Sequence, residues 1–240
     1  MPLKSETKFI ERIFNGKYSV LVPEWQRLPN LDYEPQRTRS MAEHLVKGDV
    51  LLDIGASDGW LSAIYAQIVG AENLCIFEPS LVAWPTIKAI WDVNNLATPR
   101  QTFCGLVGER TMPPVEPAHR AGWPEPAYSL NLWEVMHFFS IKDRFDYTPM
   151  ISIDDWVMQT GVIPRGISID VEGAEVLVLR GAKNTIQNFK PLIWVSAHTV
   201  NGAIFYDYKN TLWDIFEELR GYQRHWLEVD GDEHWFFESL

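Results

Sequence analysis

The stretch LLDIGASDGW, residues 51–60, changes within three residues from an apolar run to a turn that contains Gly55 and Gly59. The run has the length of a buried strand, and the residues after the turn repeat apolar side chains with helical spacing as far as Gly70. The stretch therefore predicts a strand, a tight turn and a helix, which is the repeating unit of parallel α/β sheets.

The same alternation continues along most of the chain. Short apolar runs alternate with amphipathic stretches: strands are predicted at 50–55, 74–79, 102–108, 166–171 and 192–198, and helices at 59–69, 80–95, 174–188 and 211–221. Near the C-terminus, two strand-like runs are joined by Asp230-Gly231, a strong signal for an antiparallel hairpin. The pattern predicts an α/β fold with a doubly wound, Rossmann-like sheet that is mostly parallel and carries an antiparallel C-terminal hairpin.

The length of 240 residues suits one domain with appendages. Residues 1–49, with helical character around 5–14 and 38–46, are expected to form an N-terminal helical cap, and residues 50–240 the main domain. A proline-rich insert at about 109–150 has the length of a functional loop. Four of its aromatic residues are candidates either for an acceptor pocket or lid, or for packing of the loop on the sheet: Trp123, Tyr128, Trp133 and His137.

Composition narrows the classes of partner. The formal net charge is −11, and no cluster of Lys or Arg stands out, so binding to nucleic acid is not expected. No stretch approaches the roughly 18 apolar residues of a membrane span, and no secretory signal is visible, so the cytoplasm is the expected location. Cys75 and Cys104 lie in apolar runs and are expected to be core residues.

The glycine turn has the position of a ligand-binding loop, because doubly wound sheets bind ligands beyond the carboxyl ends of their strands. Two carboxylates, Asp53 and Asp58, would repel a pyrophosphate but suit a cationic ligand such as S-adenosylmethionine. Glu78, at the end of the second strand, could accept hydrogen bonds from both ribose hydroxyls, a feature that NAD would also use. The predicted cofactor contacts are Asp53, Gly55, Ala56, Ser57, Asp58, Gly59, Glu78, Pro79 and Leu106.

A second group of carboxylates lies in SIDVEGAEVLVLRGA, residues 168–182. Asp170 follows the fourth strand and should face the ligand, whereas Glu175 opens a helix and suits its dipole. His198 follows the fifth strand and should lie at the same edge. We expect His198 to act as a base or to orient the acceptor, and Asp170 and Glu172 to complete the catalytic group.

Five segments, DIGASDGWLS, FEPS, ISIDDWV, IDVEGAEVLVLRGA and PLIWVSAH, in this order resemble the FkbM family of S-adenosylmethionine-dependent methyltransferases over about residues 40–200. The resemblance implies a seven-stranded sheet and O-methylation of a hydroxyl, often on a sugar, glycan or polyketide, with S-adenosylhomocysteine as the product. The family usually has a lysine where this chain has Ser168, and an acid where it has Ser196. These departures concern the substrate side and the assistance of a base.

The residues leave more than one chemistry open. A metal-free reaction is favoured, although Asp170 and Glu172 could together hold Mg²⁺. A DNA-base methyltransferase is disfavoured by the absence of a D/N-P-P-Y/F tetrapeptide, and a dehydrogenase by the missing second glycine of G-x-G-x-x-G. A non-catalytic saccharide-binding module on the same fold, and methylation of a polyketide or lipid hydroxyl, are two further functions compatible with the sequence. The acceptor's identity and the number of subunits stay undetermined by the sequence.

Overall fold

The computed structural model describes residues 7–26, 32–112, 119–128, 148–198 and 212–240. The strands are β1 Phe9–Phe14, β2 Tyr18–Pro23, β3 Leu51–Ile54, β4 Leu74–Phe77, β5 Gln101–Phe103, β6 Leu106–Val107, β7 His119–Arg120, β8 Met150–Ile151, β9 Gly166–Ile169, β10 Leu192–Ala197, β11 Tyr222–Asp230 and β12 Asp232–Ser239. The helices are α1 Pro35–His44, α2 Trp60–Val69, α3 Trp84–Val93, α4 Ile153–Thr160, α5 Glu175–Arg180, α6 Lys183–Phe189 and α7 Leu212–Glu218.

The central sheet has the strand order β11-β12-β10-β9-β3-β4-β5-β7. The five strands from β10 to β5 are parallel, and β12 and β11 continue the sheet antiparallel to β10. This arrangement confirms the predicted mostly parallel α/β sheet of seven strands with an antiparallel C-terminal hairpin. The two-residue strand β7 pairs antiparallel with β5 and extends that edge to eight.

The order of the strands fixes the position of the ligand site. The chain runs from β3 outward through β4 to β5, and then returns to place β9 on the other side of β3. The switch point therefore lies between β3 and β9, where the backbone N–H of Asp170 donates to the carbonyl of Ile54 at 2.9 Å. Ligands of doubly wound sheets bind at this point.

Both faces of the sheet are covered, which explains why its parallel strands are mostly apolar. Leu51, Ile76 and Trp194 belong to the core cluster on one face, while Leu52 and Phe77 belong to the cluster on the opposite face. Cys75 and Cys104 are buried free thiols, as predicted. Among the described residues, no helix combines the length and apolar character needed to cross a membrane.

The predicted helix at residues 5–14 is wrong where the structure describes it. Residues Phe9–Phe14 form strand β1, which pairs antiparallel with β2 through a turn at Asn15 and Gly16, both with positive φ. The error has a local cause, because the charged and apolar residues of FIERIF fit both the helical and the strand period. The turn that follows is what favours a hairpin. The second predicted helix of this region is present as α1.

Two other predictions need correction. The strand predicted at 102–108 is broken after Phe103, and Leu106–Val107 pairs in parallel with β8 in a separate two-stranded sheet. The helix predicted at 174–188 is interrupted at Gly181 and Ala182 and forms α5 and α6. A Cβ on Gly181 would lie 2.0 Å from the carbonyl oxygen of Gly108, so the interruption brings two backbones into close contact.

Candidate active site

A cavity of about 600 Å³ opens at the carboxyl ends of the parallel strands. This volume is typical of a site for a small molecule or cofactor. With the exception of Gly59, all the residues predicted for the site line this cavity: Asp53, Gly55, Ala56, Ser57, Asp58, Glu78, Pro79, Leu106, Asp170, Glu172 and His198. The order of the sheet therefore brings together the glycine turn and the group of Asp170, Glu172 and His198, which lie more than 100 residues apart in sequence.

The glycine turn is shaped by close contacts between backbones. Gly55 has φ of 94°, and a Cβ at this position would lie 1.7 Å from the carbonyl oxygen of Asp170. Gly59, with φ of 82°, begins α2, and its Cβ would contact Ile87 at 2.8 Å. Glycine is required at both positions, because an L side chain there is both strained and obstructed.

Glu78 lies at the end of β4 and is 6% exposed. One carboxylate oxygen accepts the backbone N–H of Ser57 at 2.7 Å, and the other accepts the N–H of Ser80 at 2.7 Å. Burial raises the pKa of Glu78 to about 7, although these two hydrogen bonds oppose the shift. The carboxylate is thus fixed in orientation, with its remaining lone pairs available to a ligand in the cavity.

Asp53 lies in the last part of β3 and is almost fully buried. Its Oδ2 accepts a hydrogen bond from the Ser62 hydroxyl at 2.5 Å, which ties the strand to helix α2. Burial raises the pKa of Asp53 to about 6, against the opposing effects of Ser62 and Arg37. The Asp53 side chain lines the buried end of the cavity next to the glycine turn.

The structure adds a residue that the sequence analysis missed. Arg37, from α1, is 1% exposed and donates to Glu34 at 2.8 Å and to Asp170 at 3.3 Å. The same guanidinium donates to the hydroxyls of Ser196 at 2.5 Å and Ser168 at 2.8 Å. The two positions at which the chain departs from the usual family residues are therefore occupied by hydroxyls that accept hydrogen bonds from Arg37.

Helix α1 is held over the cavity by the C-terminal hairpin. The backbone N–H of Glu34 donates to Asp230 at 3.0 Å, and that of Arg37 donates to Glu228 at 2.9 Å. Carboxylates at these positions satisfy N–H groups that have no partner within the helix and also suit its dipole. Because these pairs are about 190 residues apart in sequence, no local pattern could identify them.

His198 is 4% exposed and has carboxylates on both sides of its ring. Its Nδ1 lies 2.8 Å from Glu175, and its Nε2 lies 3.6 Å from Asp170, 3.7 Å from Glu172 and 3.2 Å from Asp232. Burial alone would lower the pKa of His198, but the hydrogen bond to Glu175 and the nearby carboxylates outweigh it and raise the pKa to about 9. Both ring nitrogens of His198 therefore face carboxylates.

The remaining wall of the cavity comes from both ends of the chain. Asp230, Asp232 and His234 are contributed by the hairpin, and Trp25, Tyr33, Glu34 and Trp60 by the N-terminal part and α2. The antiparallel pairing of Ala197 with Glu233 places the hairpin turn beside His198. The predicted Asp230-Gly231 turn thus carried a signal for this wall, since a strand antiparallel to β10 must begin at the carboxyl end of β10.

The aromatic residues proposed in the insert have a different place. Trp123 packs on Trp91 with ring centroids 5.8 Å apart, and the ammonium group of Lys88 lies over the rings of Trp123 and Tyr128. Both rings therefore lie against α3, a helix rather than the sheet, and neither lines the cavity. Trp133 and His137 are outside the described residues.

One family model and several solved structures are similar to this chain. The family model described as Methyltransferase FkbM domain matches residues 53–226. The FkbM methyltransferase from Methylobacillus flagellatus KT is 20% identical with a TM-score of 0.51, and the alignment covers 79% of this chain and 43% of that chain. TYW2 from M. jannaschii, solved in complex with AdoMet, is 10% identical with a TM-score of 0.45, over 99% of this chain and 90% of that chain.

At 20% identity, the likeness to the M. flagellatus structure shows the fold alone. The chain spans less than half of the length of the M. flagellatus protein. No curated protein matches the chain. The family match covers most of the chain and includes the glycine turn, Glu78, the Asp170 segment and His198, so the chain belongs to the FkbM family of methyltransferases.

Proposed function

We propose that this chain is an S-adenosylmethionine-dependent O-methyltransferase that methylates a hydroxyl of a sugar or glycan. The observation that carries the proposal is that the glycine turn and Glu78 share one cavity with Asp170 and His198. A binding site for an adenosyl cofactor and a group of polar residues for an acceptor are therefore in direct reach of each other.

The cofactor side is supported by the donors and acceptors that line it. Glu78 presents a carboxylate held by two backbone N–H groups, which suits the two hydroxyls of a ribose. The lining of this side contains the carboxylates of Asp53 and Asp58, which favour a cationic ligand over a pyrophosphate. The backbone at Gly55 and Ser57 has positive φ, so the turn bends away and lets a ligand approach the main chain.

When bound, S-adenosylmethionine supplies a methyl group whose carbon–sulfur bond breaks, leaving its electron pair on sulfur, as the acceptor oxygen bonds to carbon. The residues of the chain act mainly by holding the acceptor hydroxyl in line, which can supply most of the acceleration. Asp170 and Glu172 can accept hydrogen bonds from the acceptor, and His198 can orient it. The hydroxyl proton would pass to one of these groups or to solvent.

The acceptor side favours a sugar through its combination of groups. The carboxylates of Asp170, Glu172 and Asp232 are acceptors for hydroxyls, and the rings of Tyr33 and Trp60 provide apolar faces. Tyr33 meets Trp60 edge-on at a centroid distance of 5.1 Å, and Phe14 stacks on Trp60 at 4.7 Å, so the two lining rings pack together as one aromatic wall. A polyketide or lipid hydroxyl would use the aromatic wall but leave most of the carboxylates without partners.

One observation favours the second candidate, a saccharide-binding module without turnover. Both ring nitrogens of His198 face carboxylates, Glu175 at 2.8 Å and Asp232 at 3.2 Å, and an imidazole that donates to both cannot accept the hydroxyl proton. Such a module would bind the cofactor and the saccharide but form no product.

Isothermal titration with S-adenosylmethionine, S-adenosylhomocysteine and NAD tests the cofactor. We expect both adenosyl ligands to bind, NAD to bind at least tenfold more weakly, and Glu78→Gln to lose the adenosyl ligands. Glu109→Gln is the matched control, because Glu109 is exposed and does not line the cavity. Equal affinity of wild type and Glu78→Gln would contradict the assignment of the cofactor site.

Mass spectrometry then tests transfer. Each saccharide acceptor is incubated with S-adenosylmethionine, and a gain of one methylene in mass identifies the product. Binding of cofactor without methylation of any saccharide would favour the non-catalytic module, and methylation of lipid or polyketide hydroxyls alone would replace the sugar in the proposal.

A further inference from the structure

We infer that His198, Asp170, Glu172 and Asp232, here called the His–carboxylate cluster, form a binding site for a divalent transition-metal ion. The inference rests on the proposed function in one respect, since the ion would lie where an acceptor hydroxyl must approach. Its existence as a metal site can be measured separately. It also differs from the metal-free reaction that the sequence favoured.

The spacing of the ligand atoms fits a coordination shell. One ligand atom each from Asp170, Glu172 and His198 lie within 4.8 Å of one another. The Nε2 atom of His198 is 3.2 Å from Asp232, 3.6 Å from Asp170 and 3.7 Å from Glu172. With metal–ligand bonds of about 2.1 Å, neighbouring ligand atoms lie about 3.0 Å apart in an octahedron and about 3.4 Å in a tetrahedron. The separations from Nε2 are close to these edges, and the ligand atoms of Asp170 and Glu172 lie within 4.8 Å of each other.

The imidazole is oriented as in metal sites. Its Nδ1 lies 2.8 Å from the Oε1 atom of Glu175, a side chain that is 0% exposed. If Nδ1 donates its hydrogen to this carboxylate, the Nε2 lone pair is directed at the three carboxylates of the cluster. A histidine that donates one N–H to a buried carboxylate and binds with its other nitrogen is the usual arrangement around a protein-bound metal ion.

Asp170 is oriented in the same way from the opposite side. Its Oδ2 accepts hydrogen bonds from Arg37 at 3.3 Å and from Ser196 at 3.2 Å, whereas its Oδ1 faces His198. One oxygen is thus fixed by buried partners and the other is available to an ion. Ligating carboxylates are commonly held by such outer partners.

The charges around the cluster are not balanced within the described residues. The facing carboxyl groups are Asp170, Glu172, Glu175, Asp230 and Asp232, and the facing cation is Arg37, because an imidazole that binds an ion through Nε2 is neutral. Arg37 is already shared with the buried Glu34. A divalent cation would offset the excess negative charge, which otherwise makes the close approach of these carboxylates unfavourable.

A separate observation indicates that a polar ligand belongs in this part of the cavity. His234 is 2% exposed and lines the cavity, and its Nε2 has no hydrogen-bond partner among the described residues. A buried polar atom without a partner is costly unless a ligand or water satisfies it. A water held by the ion, or the acceptor hydroxyl, would provide that partner.

The donor set indicates the kind of ion. An imidazole together with two or three carboxylates suits Mn²⁺ or Zn²⁺, whereas Mg²⁺ and Ca²⁺ prefer oxygen ligands alone. An ion at this place would lower the pKa of a bound hydroxyl and would reduce the need for a protein base.

Electron paramagnetic resonance of Mn²⁺ tests the inference on the full chain after removal of metals with EDTA. Binding abolishes the six-line signal of free Mn²⁺, and we expect one ion per chain. Glu172→Gln should weaken Mn²⁺ binding at least tenfold, while leaving the fold intact, because the side chain of Glu172 is 60% exposed. Glu109→Gln, outside the cavity, should bind Mn²⁺ like the wild type.

The inference is overturned if the wild type binds no Mn²⁺ or if Glu172→Gln and Glu109→Gln bind it equally, which would indicate surface carboxylates. Displacement of Mn²⁺ by an equal concentration of Mg²⁺ would overturn the assignment to a nitrogen-preferring ion. Titration of the EDTA-treated chain with S-adenosylhomocysteine separates the two proposals. Adenosyl binding without Mn²⁺ binding removes only the metal site, and Mn²⁺ binding without adenosyl binding removes only the methyltransferase proposal.

Discussion

Replacement of Arg37 by methionine should destabilise the fold far more than replacement of its neighbour Arg39. Arg37 and Glu34 are each 1% exposed, so Arg37→Met leaves a buried carboxylate without its ion pair. Breaking one partner of a buried pair costs about 3–5 kcal/mol. At about 2–4 °C per kcal/mol for a chain of this size, Tm should fall by about 6–20 °C, as measured by circular dichroism.

The same helix offers a matched control. Arg39 pairs with Glu43, and their side chains are 70% and 60% exposed, so Arg39→Met should change stability by at most about 0.5 kcal/mol. The double variant Glu34→Gln/Arg37→Met should be more stable than Arg37→Met alone, because the unpaired charge is gone. Equal melting of the Arg37→Met and Arg39→Met variants, or a double variant less stable than Arg37→Met, would refute the reasoning.

Three further predictions concern the cofactor side. The pKa of Glu78 is raised to about 7, and the two hydroxyls of a ribose bind the carboxylate better than the carboxylic acid. The affinity for S-adenosylhomocysteine should therefore rise as pH increases through 7. In titration calorimetry, Glu78→Gln should remove this pH dependence. Gly55→Ala should lower the free energy of unfolding by at least about 2 kcal/mol in urea, whereas Gly221→Ala, with nothing within 4 Å of its Cβ, should change it little. Ser62→Ala, which leaves Asp53 without its hydroxyl donor, should cost about 1–3 kcal/mol, and an unchanged urea midpoint would contradict the hydrogen bond.

The parts that the sequence predicted share one property: each is set by the local order of strand, turn and helix. Asp53, the glycine turn and Glu78 follow parallel strands, and Asp170 and His198 follow two more. The carboxyl ends of parallel strands meet at one edge of a sheet. The positions of these residues at strand ends were therefore enough to predict that they share one cavity. Their chemical roles stay predictions.

The parts that were missed depend on long-range pairing. Glu34 and Arg37 reach the site because α1 is held by the hairpin at Glu228 and Asp230, at the other end of the chain. Neither hydrophobic periodicity nor a turn motif encodes a contact between the two ends of the chain. In addition, the local sequence pattern around β1 favours a helix, whereas the structure has a strand. Prediction of the part of the cavity that Glu34 and Arg37 form requires knowledge of where the N-terminal hairpin and α1 pack.

Ser168 and Ser196 show how the two kinds of information combine. In the sequence alone, these two serines are only departures from the family pattern, since small hydroxyl side chains replace a lysine and an acid. In the structure both hydroxyls accept hydrogen bonds from Arg37, and Ser196 also donates to Asp170. A lysine at position 168 would place a second cation against this guanidinium in a buried site, which is strongly unfavourable. The small residues and the arginine therefore depend on each other: the serines leave room for a cation supplied by α1, and that cation keeps Asp170 oriented towards His198.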